Sequence, residues 1–254
     1  MTTARWTTPG GTSPGLCEDI IKQPHTLIAG ATGSGKSVLI NALIYSLTFR
    51  DPEQVKLILI DPKRVELNQW RSLPHTIRYA SEPADIAAAI RYAVDLMESR
   101  YTSLQQTGAK RYTGAEVYII VDEFADLITT QKKEVLPPLC RIAQLGRAAG
   151  IHLIIATQRP TRDIITGQIK VNIDARVALR CPTAQDSRNI INIKGAESLP
   201  RYGTGLYLTP DTMLPIPVDI PFIQPAELDR RAAFWIAQRP RPRRRTLKSL
   251  FNSL

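Results

Sequence analysis

Eight consecutive residues, Gly30-Ala31-Thr32-Gly33-Ser34-Gly35-Lys36-Ser37, have the types and spacing of a phosphate-binding loop. Glycines at 30, 33 and 35 let successive backbone N–H groups face phosphate oxygens at a helix N-terminus. Lys36 then reaches the β- and γ-phosphates, and Ser37 offers a hydroxyl to Mg2+. A glycine-rich turn in some other α/β protein is the bland alternative. Here an apolar strand pattern precedes the eight residues and a helical pattern follows, so the expected ligands are ATP and Mg2+.

A second apolar run, Val117-Tyr118-Ile119-Ile120-Val121, leads into Asp122-Glu123. Such a strand places both carboxylates at the carboxyl edge of an open α/β sheet, where ligands bind. Asp122 is the candidate for the Mg2+ shell, and Glu123 for polarising a water in line with the γ-phosphate. The bland alternative is a strand that ends in two solvated acids. A third apolar run, 151–157, brings Gln158 to the same edge. Spacing leaves Gln158 two roles: orienting the attacking water, or hydrogen-bonding a loop.

Positioning these groups requires repeated strands and helices. Apolar segments at 25–30, 55–61, 117–122, 151–157 and 175–181 are short, rich in β-branched residues and bounded by turn residues, as buried parallel strands are. Between them the spacing predicts helices after Gly35, over 83–106 and over 132–149, the last interrupted or delayed by Pro137 and Pro138. After about Pro182 it predicts a helix near 185–193, a glycine-bearing loop at 203–205, β-like segments near 206–208 and 216–223, and a helix over 225–238. The alternation implies an α/β fold of the RecA-like P-loop type, with a mostly parallel central sheet flanked by helices.

The 254 residues, 43% hydrophobic, suffice for one α/β domain with a buried core. The expected organisation is an irregular lead-in over 1–23, the domain over 24–238, and a basic, disordered tail over 239–254. Of the net charge of +10, Arg239, Arg241, Arg243, Arg244, Arg245 and Lys248 contribute six, leaving +4 on the body. Such a balance favours a polyanionic partner. Three scattered cysteines and three isolated histidines give neither a disulfide framework nor a zinc spacing. The longest apolar runs fall far short of the roughly 20 residues a membrane helix needs, and the first residues lack a secretory apolar core, so a cytoplasmic protein with no membrane span is expected.

Further stretches make the sequence resemble the FtsK/SpoIIIE family of DNA translocases. Besides the loop after Pro24-His25, they are Ile60-Asp61-Pro62-Lys63 with Glu66-Leu67, and Val121-Asp122-Glu123-Phe124-Ala125-Asp126-Leu127. Next come Arg147-Ala148-Ala149-Gly150-Ile151-His152-Leu153 and Ala156-Thr157-Gln158-Arg159-Pro160, then Asp163-Ile164-Ile165-Thr166-Gly167, Asp186-Ser187-Arg188 and Gly195-Ala196-Glu197. The resemblance covers about residues 24–223, in the family's order. It implies a RecA-like motor that pumps double-stranded DNA through a homo-hexameric ring, with ATP between subunits.

An arginine from a neighbouring subunit is then expected at the transferring phosphate. Arg147 is the candidate, with Arg141 and Arg188 in reserve. Spacing alone reads Arg147 as a cation complementing a helix C-terminus. The expected DNA contacts are Lys132, Lys133, Arg162 and Lys170, on loops that grip phosphates without reading bases; each is equally readable as a solvated charge.

Full-length septal members of the family carry membrane spans, a linker, a further domain and a DNA-reading winged helix, which find no counterpart in these 254 residues. The link from Lys110 to Glu116 is also shorter than theirs. The expectation is a motor core of the kind mobile elements or phages encode, served by a separate membrane-anchored or DNA-orienting partner. Chromosome segregation, conjugative transfer and genome packaging are the processes such a motor serves. Two other classes compete: an ATP-gated DNA-binding scaffold that moves nothing, and a P-loop phosphotransferase. Glu123 beside Asp122 speaks against the latter, because a phosphotransferase must avoid activating water.

Overall fold

A computed structural model of the chain describes residues 23–238. The expected lead-in and basic tail lie almost wholly outside the described residues. The elements are β1 (His25–Ala29), α1 (Lys36–Leu47), β2 (Val55–Ile60), β3 (Thr76–Ala80), α2 (Pro83–Thr107), β4 (Glu116–Val121), α3 (Phe124–Leu145), β5 (Ile151–Thr157), α4 (Gly167–Asn172), β6 (Ala175–Leu179), α5 (Ala184–Ile191), β7 (Thr204–Leu208), β8 (Ile216–Asp219) and α6 (Pro225–Gln238). Single 3₁₀ turns lie at Asn68–Trp70 and Ala196–Ser198.

One eight-stranded sheet runs in the order β3-β2-β4-β5-β1-β6-β7-β8. The first six strands are mutually parallel, and β7 pairs antiparallel with both β6 and β8. Period-two alternation explains why the central strands read as continuous apolar runs, since each buries both faces. Leu27, Ile58, Ile119 and Leu153 face the layer built by α2 and α3. Ile28, Leu57, Ile120 and Ile154 face the opposite layer, with α1, Trp70 and α6.

Two helices show how local sequence sets their ends. Pro83 opens α2, where a missing N–H costs nothing, and Gly108 closes it in the left-handed region at φ 68°. The third helix departs from expectation: it starts at Phe124, immediately after β4, rather than at 132, and ends at Leu145 rather than 149. The Glu123 side chain caps its start by accepting from Ala125 N. Pro137 and Pro138 lie inside it and deprive the carbonyls four residues back of donors, and Gln131 leaves helical geometry at φ −147°, ψ 38°. The prolines therefore accompany a kink rather than set the helix's start. Strand β3 and helix α4 were not anticipated: β3 is a half-exposed edge strand with a polar sequence, and α4 is six residues long.

Candidate functional site

The parallel strands β1, β2, β4, β5 and β6, with β3 beside β2, deliver their carboxyl ends to one edge of the sheet. Loop 30–35 lies at that edge, anchored on both sides. Gly30 N donates to Thr157 O at 3.3 Å, and Ala31 N to Arg180 O at 2.8 Å. An added Cβ on Gly30 would stand 2.6 Å from Ser34 Oγ and 2.7 Å from Leu179 Cβ, so this position admits only glycine. Gly35, at φ 99°, precedes the first turn of α1, whose leading N–H groups have no intrahelical partner. Ser34 Oγ is buried and unpartnered among the described residues. The cradle thus presents free donors in a place shaped for oxyanions.

Lys36 opens α1, is 3% exposed, and places Nζ 2.5 Å from Asp122 Oδ1 and 2.8 Å from Asp122 O. Burial pushes the Asp122 carboxyl above the ordinary carboxylate range, and the Lys36 ammonium opposes that shift. A triphosphate offers Lys36 alternative oxygens, so the pair is a ready exchange partner for it. Ser37 follows on the same first turn, half-buried. Hydroxyl, carboxylate and adjacent phosphate oxygens are the donors Mg2+ takes, so Ser37 and Asp122 fit that ion.

Glu123, one residue beyond Asp122, is almost fully buried and densely held. Its Oε1 accepts from Thr157 Oγ1 at 2.7 Å and from Gln158 N at 3.1 Å. Lys63 Nζ stands 3.5 Å from Oε2 and 3.8 Å from Asp126, and Arg159 pairs with Asp126 at 2.9 Å. These partners fix the carboxylate beside the loop. Gln158 Oε1 accepts from Thr32 Oγ1 at 2.7 Å, directly joining the end of β5 to the phosphate-binding loop. Asp61, at the end of β2, instead braces its own turn by accepting from Leu67 N at 3.0 Å.

Arg147 does not join this constellation within one chain. It follows α3 and precedes β5, so it lies at the opposite, amino edge of the sheet. The length of β5 puts roughly 20 Å between it and the loop. Its side chain is exposed and makes no ion pair among the described residues. A cavity of about 270 Å³ there is lined by Arg147, Pro24, His25, Asp174 and Asp211. Of the reserve arginines, Arg141 donates from Nε and Nη2 to the single oxygen Oε1 of Glu98, at 2.9 and 2.7 Å. Arg188 lines a basic pocket of about 470 Å³ with Arg162 and Lys170.

The candidate DNA contacts separate on inspection. Arg162 is exposed on the loop before α4. Lys132 and Lys133 are exposed but stand on α3 just beyond the Gln131 kink, not on a loop as expected, because the helix begins at Phe124. Lys170 lies on α4, half-buried, and donates to Asn192 Oδ1 at 2.8 Å. Burial, then Arg176 and Arg162, push its ammonium below the ordinary lysine range.

Sequence reasoning gave Lys63 and Thr157, both within quoted motifs, no role against Glu123, and missed Arg180, Arg201 and Tyr202 as neighbours of the site. Lys63 had a signal, a lysine two residues after the aspartate that ends an apolar strand. Arg201 and Tyr202 had none beyond the nearby glycines.

The family model for the FtsK/SpoIIIE family matches residues 13–119 and 113–162. "DNA translocase FtsK" of Pseudomonas syringae pv. tomato is 39% identical over 85% of this chain and 32% of its own length. "DNA translocase SftA" of Bacillus subtilis is 41% identical over 87% of this chain and 25% of its own. The chain thus spans about a third or less of these relatives. Among solved structures, the conjugation coupling protein TcpA of pCW3, determined with ATPgS, superposes with a TM-score of 0.77 at 23% identity, over 92% of this chain and 71% of that one. The cytoplasmic domain of the Thermomonospora curvata type VII secretion ATPase EccC also gives 0.77, at 22% identity over 94% of this chain and 31% of that one. These structural likenesses carry the P-loop ATPase fold. With the phosphate-binding loop, Asp122-Glu123 and Gln158 assembled on one sheet edge and more than half of the chain matched by the model, the chain belongs to the FtsK/SpoIIIE family.

Proposed function

We propose that residues 24–238 form the motor domain of an ATP-hydrolysing double-stranded DNA translocase, working as a homo-hexameric ring in the cytoplasm. The observation that carries this reading is the convergence of Lys36, Asp122, Glu123 and Gln158 on one edge of the sheet, linked by direct hydrogen bonds. The relatives named DNA translocase, at about 40% identity, support the DNA substrate. Among the described residues no helix is long and apolar enough to cross a membrane; the reading also includes a membrane-anchored or DNA-orienting partner protein. The structural neighbours include a conjugation coupling protein and a DNA-packaging ATPase. Conjugative transfer and packaging therefore stand beside chromosome segregation as processes for this motor.

In this reading Gly30 and Ala31, tied to Thr157 O and Arg180 O, set the shape of the loop, while the N–H groups of Thr32, Gly33 and Gly35 and the Ser34 hydroxyl bind the phosphates. Lys36 leaves Asp122 for the β- and γ-oxygens, freeing that carboxylate, with Ser37, for Mg2+. The metal would neutralise charge on the phosphates. Glu123 takes the proton of the attacking water, and Thr157, the Gln158 amide and Lys63 hold its carboxylate in place. Gln158, already touching Thr32, reports the γ-phosphate to the chain after β5. Arg147 serves the site of the adjacent subunit, because its own chain's loop is at the far edge of the sheet. Arg162, Lys170, Lys132 and Lys133 offer cations for DNA phosphates.

The test combines ATP hydrolysis, with and without long duplex DNA, with displacement of a third strand from a triplex. DNA-stimulated turnover with displacement supports a translocase. Stimulated turnover without displacement reduces the chain to an ATP-gated scaffold, and turnover indifferent to DNA returns the phosphotransferase reading.

A further inference from the structure

The strand order β4-β5-β1-β6-β7 divides the surroundings of the phosphate-binding loop into two sides. Asp122, Glu123 and Gln158 occupy the β4–β5 side. On the other side lie Arg180, directly after β6, and the segment 201–203, directly before β7. Because β7 is antiparallel to β6, its start returns to the same edge as the loop. Arg180 and Arg201 share with residues 31–34 a cavity of about 200 Å³. The Tyr202 ring edge lies 3.9 Å from the Cβ position of Gly33, and Gly203 N lies 4.0 Å from that of Gly35.

These three side chains have little else to do. Tyr202 is 64% exposed, and its one aromatic-ring contact among the described residues is the Arg201 guanidinium, 5.6 Å from the ring centre. Arg180 and Arg201 are exposed and make no ion pair among the described residues. Only one orientation of a triphosphate suits the hydrolytic groups: its γ end faces Glu123 and Gln158. The nucleoside end must then leave the loop on the β6–β7 side, toward Arg180, Arg201 and Tyr202.

Resting on the ATPase reading above, we propose that Tyr202 stacks on the base of the bound nucleotide, and that Arg180 and Arg201 hold its phosphate chain from the side opposite the hydrolytic groups. A ring stacks on any base through its π face, and a guanidinium pairs with phosphate oxygens through its planar fork. Stacking without hydrogen-bond readout distinguishes bases weakly, so the site takes ATP and GTP with similar affinity.

Equilibrium binding of ATP, GTP and inorganic tripolyphosphate to the full chain separates the contributions. Tyr202→Ala is expected to weaken ATP and GTP about tenfold and leave tripolyphosphate unchanged, because tripolyphosphate has no base. Tyr202→Phe, which keeps the ring, is expected to bind all three like the parent chain. Arg180→Ala and Arg201→Ala are each expected to weaken all three ligands severalfold. Unchanged ATP affinity in Tyr202→Ala overturns the stacking assignment, as does an equal loss for ATP and tripolyphosphate. If the parent chain binds none of the three, the ATPase reading itself fails, a result distinct from failure of the base site alone.

Discussion

The two edges of the central sheet use charge in opposite ways. At the carboxyl edge, Lys36, Asp122 and Glu123 are each 3% exposed or less and are enclosed by hydrogen bonds from β5 and the loop. At the amino edge, Arg147 is exposed and unpaired among the described residues, above a cavity flanked by Asp174 and Asp211. A buried, fully partnered cluster is preorganised for charge that develops in place. An exposed arginine is free to reach a separate molecule. In the reading proposed above, one chain holds the nucleotide and the water-activating group, and the cation at the transferring phosphoryl group comes from a neighbour.

The hardest break of the carboxyl edge is Lys36→Ala, which removes the cation proposed to bind the phosphates. ATP turnover should drop to background, measured as phosphate release. Next comes the amino edge: Arg147→Ala is expected to lower turnover by roughly a thousandfold or more, the scale of an arginine acting on a transferring phosphoryl group. Mixing Arg147→Ala with Lys36→Ala subunits should recover activity, since some interfaces then combine an intact loop with an intact arginine. No recovery at any ratio would place Arg147 within its own chain's site or outside catalysis. Glu123→Gln should slow turnover by about 10²–10⁴ with nucleotide affinity preserved; near-parental turnover would remove Glu123 as the base.

Smaller effects sharpen the contrast. Lys63 is 42% exposed and 3.5 Å from Glu123, a weak pair, so Lys63→Ala should cost less than about tenfold in turnover with ATP affinity unchanged. The amino edge also holds two buried histidines at the starts of β1 and β5. Burial, with the neighbouring His152, pushes His25 down to about 3. Burial pushes His152 down to about 4 against the opposing pull of Glu116. Unfolding restores both toward 6.5, so the unfolded chain binds more protons as pH falls below that value. Stability should therefore decline between pH 6.5 and about 4, by at most about 1.4 kcal/mol per pH unit for each histidine. Urea unfolding at pH 7 and pH 5 measures this, and a flat profile would show that the histidines titrate normally.

Much of the fold was legible because buried parallel strands advertise themselves. The five expected strands appear as β1, β2, β4, β5 and β6, within a residue or so at each end. Edge elements advertise less: β3, Thr-Ile-Arg-Tyr-Ala, leaves Arg78 exposed and escaped notice, as did the short α4. The start of α3 escaped because Pro137 and Pro138 argued for delay, while capping by Glu123 and the apolar face of Phe124, Leu127 and Ile128 fixed it eight residues earlier than expected.

By itself the sequence determined the backbone chemistry of the loop and the order of the motifs. A glycine's freedom, a strand's periodicity and a carboxylate's place at a strand end are local properties carried by adjacent residues. Only the tertiary structure decided that Lys36 meets Asp122 across 86 positions and Thr32 meets Gln158 across 126. Strand direction placed Arg147 at the far edge, and strand order with the antiparallel run of β7 brought Arg180, Arg201 and Tyr202 to the near one. Which strands become neighbours depends on the burial of whole faces, a property of the assembled sheet that no short stretch of residues contains.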